Sequence, residues 1–139
     1  MNLLSLTFII LLVEFSKITL VGVGLLGGSI GLAVKQRGLS GHVCGLVKRE
    51  ESVAECVSAR VVDEATLDIA EAIKDACLVI LCTQVGQMRL LSEQLKPYLA
   101  DDAIVTDVGS VKVEVVAAIE PVIPRFVGSH PLAGSEKTG

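Results

Sequence analysis

Two polar segments of this 139-residue sequence carry side chains that could act on a hydroxyl group. Ser110 lies in segment 107–112 and His130 in segment 130–134, and each segment follows a predicted strand. An imidazole can accept a proton near neutral pH, so His130 could take a hydroxyl proton while a hydride leaves. Ser110 could hold the reacting group, or it could be the N-cap of the next helix. His130 could also be a loop residue that caps backbone groups, but the nearby Ser110 segment favours a catalytic role.

A glycine-rich turn near the start of the chain has the spacing of a dinucleotide site. Residues 22–27 read GVGLLG, between the apolar run 17–21 and a helix-like segment. In such a unit the first glycine makes a tight turn, the second admits a pyrophosphate and the third lets the helix pack closely. The start of the helix offers free N–H groups to phosphate. The expected cofactor-binding residues here are Gly22, Gly24, Leu25, Leu26 and Gly27.

The end of the second predicted strand indicates which dinucleotide fits. NAD sites usually place an acidic residue there, about 20 residues past the glycines, to hold the ribose hydroxyls. This chain has Val47, followed by the cations Lys48 and Arg49. A pair of cations suits the 2′-phosphate of NADP, so we expect NADP, with NAD possible. The alternative is that both are solvated charges before a helix that begins with Glu50 and Glu51.

The chain from Lys17 onward alternates strand-like and helix-like segments, which predicts an α/β fold with a doubly wound, Rossmann-like parallel sheet. Strand one should be central, and the loops after strands one, four and five should meet at the edge where such sheets bind ligands. Asp107 at this edge is expected to contact the cofactor, or to be a carboxylate at a helix entry. The predicted strands are 17–21, 42–47, 77–82, 103–106 and 125–128. The predicted helices are 25–37 (stopped by Gly38), 51–59, 87–99 and 111–119, with a short amphipathic segment at 67–75.

Composition narrows the class of protein. Hydrophobic residues make up 51% of the chain, with three Phe, one Tyr and no Trp, as expected for an aliphatic interior around a buried parallel sheet. The net charge of −4, without a basic patch, argues against a nucleic-acid partner. The four cysteines show no CxxC spacing, so we expect reduced, buried thiols in a cytoplasmic protein and no metal site. They are Cys44, Cys56, Cys77 and Cys82.

The two ends of the chain look unlike the middle. Residues 1–15 form an apolar extension that is shorter than the roughly 20 residues a membrane-spanning helix needs. No cation precedes it and no cleavage site follows it, so a signal peptide fits poorly. We expect it to lie outside the fold; a membrane anchor is the less favoured alternative. The nucleotide-binding domain should cover residues 16–139 and be truncated in the polar, glycine-rich stretch 133–139.

Three motifs together resemble one known family. Residues 22–29 read GVGLLGGS, residues 105–112 read VTDVGSVK and residues 128–139 read GSHPLAGSEKTG. Their order and spacing resemble the prephenate/arogenate dehydrogenases of tyrosine biosynthesis, from about residue 17 to the end. The second and third motifs are much more specific than the glycine turn.

The resemblance implies an NAD(P)-dependent oxidative decarboxylation of prephenate or arogenate. Hydride transfer to nicotinamide oxidises the ring hydroxyl, and loss of carbon dioxide makes the ring aromatic. By this resemblance His130 binds the ring hydroxyl and helps take its proton, Ser110 orients the reacting groups, and Thr83 lies beside the cofactor. A loop at the mouth of the substrate site would contain Ser135, Glu136 and Lys137.

The sequence also departs from the family pattern. Thr83 is followed by Gln84, where the family often has Thr-Pro, and Cys77 replaces a common Asp. The family's helical C-terminal domain, which forms a homodimer and supplies cations for the substrate carboxylates, is expected to be missing. The chain alone should therefore bind cofactor without turning over substrate. The other possibilities are a β-hydroxyacid dehydrogenase, an imine reductase, or a nucleotide-sensing module without catalysis.

Overall fold

The computed structural model of the protein describes residues 15–132. Their six strands form one parallel sheet with the order β3-β2-β1-β4-β5-β6. The first strand is central, as predicted, because its four buried residues pair with β2 on one side and β4 on the other. The strands are β1 Ile18–Val21, β2 Val43–Leu46, β3 Glu64–Thr66, β4 Leu78–Leu81, β5 Ile104–Asp107 and β6 Phe126–Val127.

Helices cover both faces of this sheet, so the predicted doubly wound α/β fold is confirmed. They are α1 Leu25–Gln36, α2 Glu50–Ser58, α3 Ile69–Ile73, α4 Val85–Leu95 and α5 Lys112–Ile119, with a 3-10 turn at Lys96–Tyr98. Successive residues of β1 point to opposite faces, as strand geometry requires. Leu20 packs in the apolar cluster that includes α1 and α2, whereas Val21 packs in the cluster that includes α3, α4 and α5.

The prediction of five strands is wrong, because β3 forms an additional edge strand beside β2. It has only three residues and begins with the exposed Glu64, so it lacks the apolar run that marks the other strands. The segment 67–75 forms only the five-residue α3, which begins after Asp68. The Asp68 side chain accepts a hydrogen bond from the Glu71 N–H at 2.8 Å and thereby fixes that start.

Several predicted boundaries also shift. Helix α4 begins two residues earlier than predicted and ends before Pro97, which lies in the 3-10 turn because proline cannot donate a helical hydrogen bond. Helix α5 has Val111 as its N-cap and no side-chain cap bond, so Ser110 is not the capping residue. Phe15 belongs to the fold: it forms a parallel bridge with Ser40 and packs against the core. Residues 1–14 and 133–139 lie outside the described part.

All four cysteines are free thiols, two of them buried and two partly buried. Burial raises the pKa of the Cys44 thiol to about 12, and it raises that of Cys82 to about 12 as well. These side chains are therefore uncharged packing groups at neutral pH. Within residues 15–132, none of the helices combines the length and the apolar character that crossing a bilayer requires.

Candidate active site

A pocket of about 440 Å³ lies at the carboxyl ends of β1, β2 and β4. Its walls include the glycine turn after β1, the two cations after β2 and Thr83 after β4. This is the edge at which the sequence predicted a ligand. It lies beside the point between β1 and β4 where the order of successive strands reverses direction in the sheet. Gly22, Gly24, Lys48, Arg49 and Thr83, all expected to bind the cofactor, line this one pocket.

The glycine turn is held in place by close backbone contacts. Gly22 has a φ of +91°, which L side chains rarely adopt, and its N–H donates to the Leu46 carbonyl at 3.0 Å. A Cβ on Gly27 would lie 2.1 Å from the Gly22 carbonyl oxygen, so only glycine lets α1 pack this close to the turn. These two glycines are therefore required by the fold itself.

Gly24 differs from Gly22 and Gly27, because the described residues leave room for a side chain at this position. A Cβ there would meet no atom within 4 Å, and the residue has a φ of −88°. It directly precedes α1, whose first turn holds no acidic residue and no side-chain cap bond. The first N–H groups of such a helix, at Leu25 and Leu26 among others, lack helical partners and attract an anion. Leu25 is 89% exposed beside this turn.

Thr83 carries a buried hydroxyl that is left without a hydrogen bond. Its Oγ1 is inaccessible to solvent, and no described residue accepts from it or donates to it. An unsatisfied buried polar group costs about 1–3 kcal/mol. The residue lines the pocket, so a rotation about its χ1 angle would bring the hydroxyl to a polar ligand atom there. The donor groups of the turn, the open space at Gly24 and this hydroxyl together fit a dinucleotide phosphate.

The cations after β2 lie on the wall of the same pocket. Lys48 and Arg49 are both exposed, and Lys48 Nζ donates to Gln87 Oε1 at 2.6 Å. Within the described part of the chain, Arg49 makes no ion pair with a carboxylate. Val47, at the position where an acidic residue is usual, is buried and donates its N–H to the Thr66 carbonyl at 3.0 Å. The pocket is thus positively charged where an NAD site is usually negative.

Asp107, at the end of β5, is completely buried and fully engaged by this chain's own donors. Its carboxylate accepts from the Gly109 N–H at 2.7 Å, from the Ser129 N–H at 3.1 Å and from Lys112 Nζ at 2.6 Å. The Ser129 hydroxyl also donates to the Asp107 backbone carbonyl. This geometry favours the carboxylate at a helix entry, one of the two alternatives that the sequence left open, over a direct contact with the cofactor.

Ser110 and His130 lie on neighbouring loops, after β5 and β6, and both are exposed. His130 Nδ1 lies 3.4 Å from the Val108 carbonyl oxygen, a backbone acceptor in the same segment as Ser110. The loops are joined through the contacts between Ser129 and Asp107. The other histidine, His42, precedes β2 and its Nε2 lies 3.0 Å from Glu64 Oε1.

Some of the site could not be read from the sequence, and some lies beyond the described residues. Ser135, Glu136 and Lys137, expected at the substrate mouth, fall in the part that is not described. Sequence reasoning missed Lys112 and Ser129 as partners of Asp107, and Gln87 as the partner of Lys48. The only sequence signal for Lys112 is its place in the same short motif as Asp107. Ser129 and Gln87 lie 22 and 39 residues from their partners and give no local signal.

Comparisons with known proteins agree with the resemblance seen in the motifs. A family model described as "Prephenate dehydrogenase, nucleotide-binding domain" matches residues 30–139. The chain is 36% identical over 126 residues to the prephenate dehydrogenase of Bacillus subtilis (strain 168). This alignment covers 88% of this chain and 34% of that protein.

Two solved structures are also similar. One is prephenate dehydrogenase from A. aeolicus in complex with hydroxyphenyl propionate and NAD+, with a TM-score of 0.81 and 34% identity over 89% of this chain and 44% of the other. The second is Synechocystis arogenate dehydrogenase, with a TM-score of 0.80 and 33% identity over 87% of this chain and 42% of the other. The chain thus spans less than half the length of these three relatives.

Proposed function

The chain belongs to the prephenate dehydrogenase family as a nucleotide-binding domain, and we propose that it holds NADP in an enzyme that oxidatively decarboxylates prephenate or arogenate. When bound, the nicotinamide group accepts the hydride that leaves the substrate ring. The similarity to a prephenate dehydrogenase and to an arogenate dehydrogenase supports the substrate class. The pocket at the carboxyl ends of β1, β2 and β4 supports the nucleotide.

The glycine turn would hold the diphosphate of the nucleotide. Gly24 leaves room for the phosphate against the backbone, and the unpaired N–H groups that begin α1, at Leu25 and Leu26, face an anion favourably. The Thr83 hydroxyl would gain the hydrogen-bond partner that none of the residues 15–132 supplies. A bound diphosphate would use all three of these features, and none of them is required by the packing of the fold.

The preference for NADP rests on the charges after β2. The 2′-phosphate adds negative charge that Arg49 can bind through two parallel hydrogen bonds and that Lys48 can bind as a point charge. Val47 offers no carboxylate to the ribose hydroxyls, so the contact that usually favours NAD is missing. Both effects favour the binding of NADP over the binding of NAD.

The loops after β5 and β6 would face the substrate. His130 would accept the proton of the ring hydroxyl, and Ser110 would hold the same region of the substrate. When His130 Nδ1 donates to the nearby Val108 carbonyl, Nε2 is left free to accept a proton. Ser135, Glu136 and Lys137 would line the mouth of the site, as the family resemblance implies.

The observation that carries the proposal is one pocket that combines open space at Gly24, an orphaned Thr83 hydroxyl and the two cations Lys48 and Arg49. Calorimetric titration of the 139-residue chain with NADP+ and with NAD+ tests the cofactor. We expect both to bind and NADP+ to bind more tightly; tighter binding of NAD+ would contradict the preference, and binding of neither would overturn the nucleotide site.

A second assay tests the reaction. The whole dehydrogenase that contains this domain is given prephenate or arogenate, and the absorbance of reduced nicotinamide is followed. We expect turnover with at least one of the two. Because the chain spans only 34% of the Bacillus subtilis enzyme, we further propose that the 139-residue chain binds nucleotide without turnover. Substrate oxidation by this chain alone would contradict that part.

A further inference from the structure

Asp107 is the only charged residue among the buried residues of the described chain. Moving a carboxylate out of water is strongly unfavourable unless donors surround it. The start of a helix does not require a buried aspartate: the exposed Asp68 caps α3 without leaving water. The burial of Asp107 therefore calls for a role beyond the start of a helix.

The Asp107 carboxylate joins two loops. After β5 it binds the Gly109 N–H and the Nζ of Lys112, the first residue of α5, and Ser110 lies between these two contacts. On the loop after β6 it binds the N–H of Ser129, the residue directly before His130. The Ser129 hydroxyl also donates to the Asp107 carbonyl, so that this residue is held at two points. One acidic residue thus contacts both loops.

The contacts require a carboxylate rather than an amide. Three donors point at the two oxygens of Asp107, and Lys112 supplies the compensating positive charge. An asparagine of nearly the same volume has one acceptor oxygen, and its NH2 group would face a donor. The substitution Asp107→Asn therefore breaks at least one of these contacts while it hardly changes the packing.

We propose that Asp107, paired with Lys112, is a positioning residue that fixes Ser110 and His130 relative to one another for the reaction. This inference rests on the proposed function, because it matters only where these two residues act on one substrate. A displacement of about 1 Å in a reacting group can cost about 100-fold in rate. The pair would therefore act on turnover and leave the binding of the nucleotide unchanged.

The first test measures kcat, KM and nucleotide affinity in the whole dehydrogenase. We expect Asp107→Asn to lower kcat by about 100-fold while the Kd for the nucleotide stays within about twofold. Lys112→Arg, which keeps the positive charge and donors, should retain far more of kcat than Lys112→Gln. Ser129→Ala removes one contact between the loops, at an exposed position, and should lower kcat by a smaller factor.

The matched control is Asp63→Asn. Asp63 also pairs with a lysine, Lys35, at 2.5 Å and accepts a backbone N–H, from Val43 at 2.8 Å. It directly precedes β3, and its carboxylate contacts the start of β2, away from the loops after β5 and β6. We expect this variant to change the melting temperature and not kcat. If Asp107→Asn and Ser129→Ala change only the melting temperature, as the control does, Asp107 has a purely structural role and the proposal fails.

A second measurement separates this proposal from the proposed function. In the 139-residue chain, Asp107→Asn should shift the NMR signals of the Ser129 amide and the His130 ring and leave those of the glycine turn unchanged. If the whole enzyme oxidises neither substrate, the proposed function fails and the NMR signals still test the link between the loops. Unshifted signals of Ser129 and His130 would overturn the proposal. If Asp107→Asn does not fold, Ser129→Ala decides by the His130 ring signals and by kcat.

Discussion

Lys48 Nζ donates a hydrogen bond of 2.6 Å to Gln87 Oε1, and this bond joins the loop after β2 to the first turns of α4. The neighbouring Arg49 has no carboxylate partner within the described part of the chain and lines the same pocket. The two cations therefore differ: one is already held by the protein, and the other is available to an anionic ligand.

Arg49→Ala should weaken NADP+ binding by about tenfold and leave NAD+ binding within about twofold. A hydrogen bond to a charged group contributes about 1.5–3 kcal/mol, and each 1.4 kcal/mol corresponds to a factor of ten. Calorimetric titration of the 139-residue chain with both nucleotides measures the two changes. Lys48→Ala is the matched comparison and should weaken NADP+ binding less, because Nζ is already shared with Gln87. If Arg49→Ala lowers the affinities for NADP+ and NAD+ equally, this residue does not recognise the 2′-phosphate.

Gly24→Ala should weaken nucleotide binding strongly and change the free energy of unfolding by less than about 1 kcal/mol. The protein tolerates a Cβ at this position, since no atom lies within 4 Å of it, but the phosphate would occupy the same space. Gly27→Ala is the contrasting variant, because its Cβ would lie 2.1 Å from a backbone oxygen. We expect it to lower the free energy of unfolding by at least about 1–3 kcal/mol, as overpacking typically does.

Urea denaturation and nucleotide titration of these two variants check the distinction. Undiminished nucleotide affinity in Gly24→Ala would show that the space beside this residue is not used by the phosphate.

Thr83→Val should weaken nucleotide binding by about fivefold, which corresponds to about 1 kcal/mol for one lost hydrogen bond. Its stability should stay the same or rise, because the variant removes a buried hydroxyl that has no partner in the described protein. Thr19→Val is the control: Thr19 Oγ1 is buried and donates to the Ala72 carbonyl at 2.7 Å. The same change should therefore destabilise the fold there by about 1 kcal/mol or more.

Thermal unfolding of both variants without nucleotide gives the first comparison, and titration of Thr83→Val gives the second. A marked loss of stability in Thr83→Val would mean that the hydroxyl already has a partner and does not await a ligand.

The sequence predicted the parts of the fold that local patterns determine. The buried strands β1, β2 and β4 are apolar runs followed by turns, and the glycine turn lies between β1 and α1 as expected. Strand β3 could not be found in this way, because Glu64 is exposed and the pairing with β2 alone defines the strand. Helix α5 begins after Val111, because Asp107 holds the preceding turn through the Gly109 N–H.

For the candidate site, the sequence indicates which residues to consider but not which contacts they make. The two cations after β2 and the polar loops after β5 and β6 could be named from their places in the motifs. The unpaired state of the Thr83 hydroxyl depends on packing around it, and the contact of Ser129 with Asp107 depends on the register of neighbouring strands. Neither property is encoded within a short stretch of sequence.

His130→Asn should lower kcat of the whole dehydrogenase by about 100-fold or more and leave the nucleotide Kd unchanged. A general base typically contributes a factor of about 100 to 10,000, and an amide cannot accept the hydroxyl proton. His42→Asn is the control, since His42 lies before β2 with its Nε2 3.0 Å from Glu64 and belongs to neither loop. It should keep kcat within about twofold. Steady-state kinetics with prephenate and arogenate, together with nucleotide titration, measure both variants. Near-normal kcat in His130→Asn would exclude this residue as the proton acceptor. His130 would then be a loop residue that contacts the Val108 carbonyl, which is the alternative that the sequence left open.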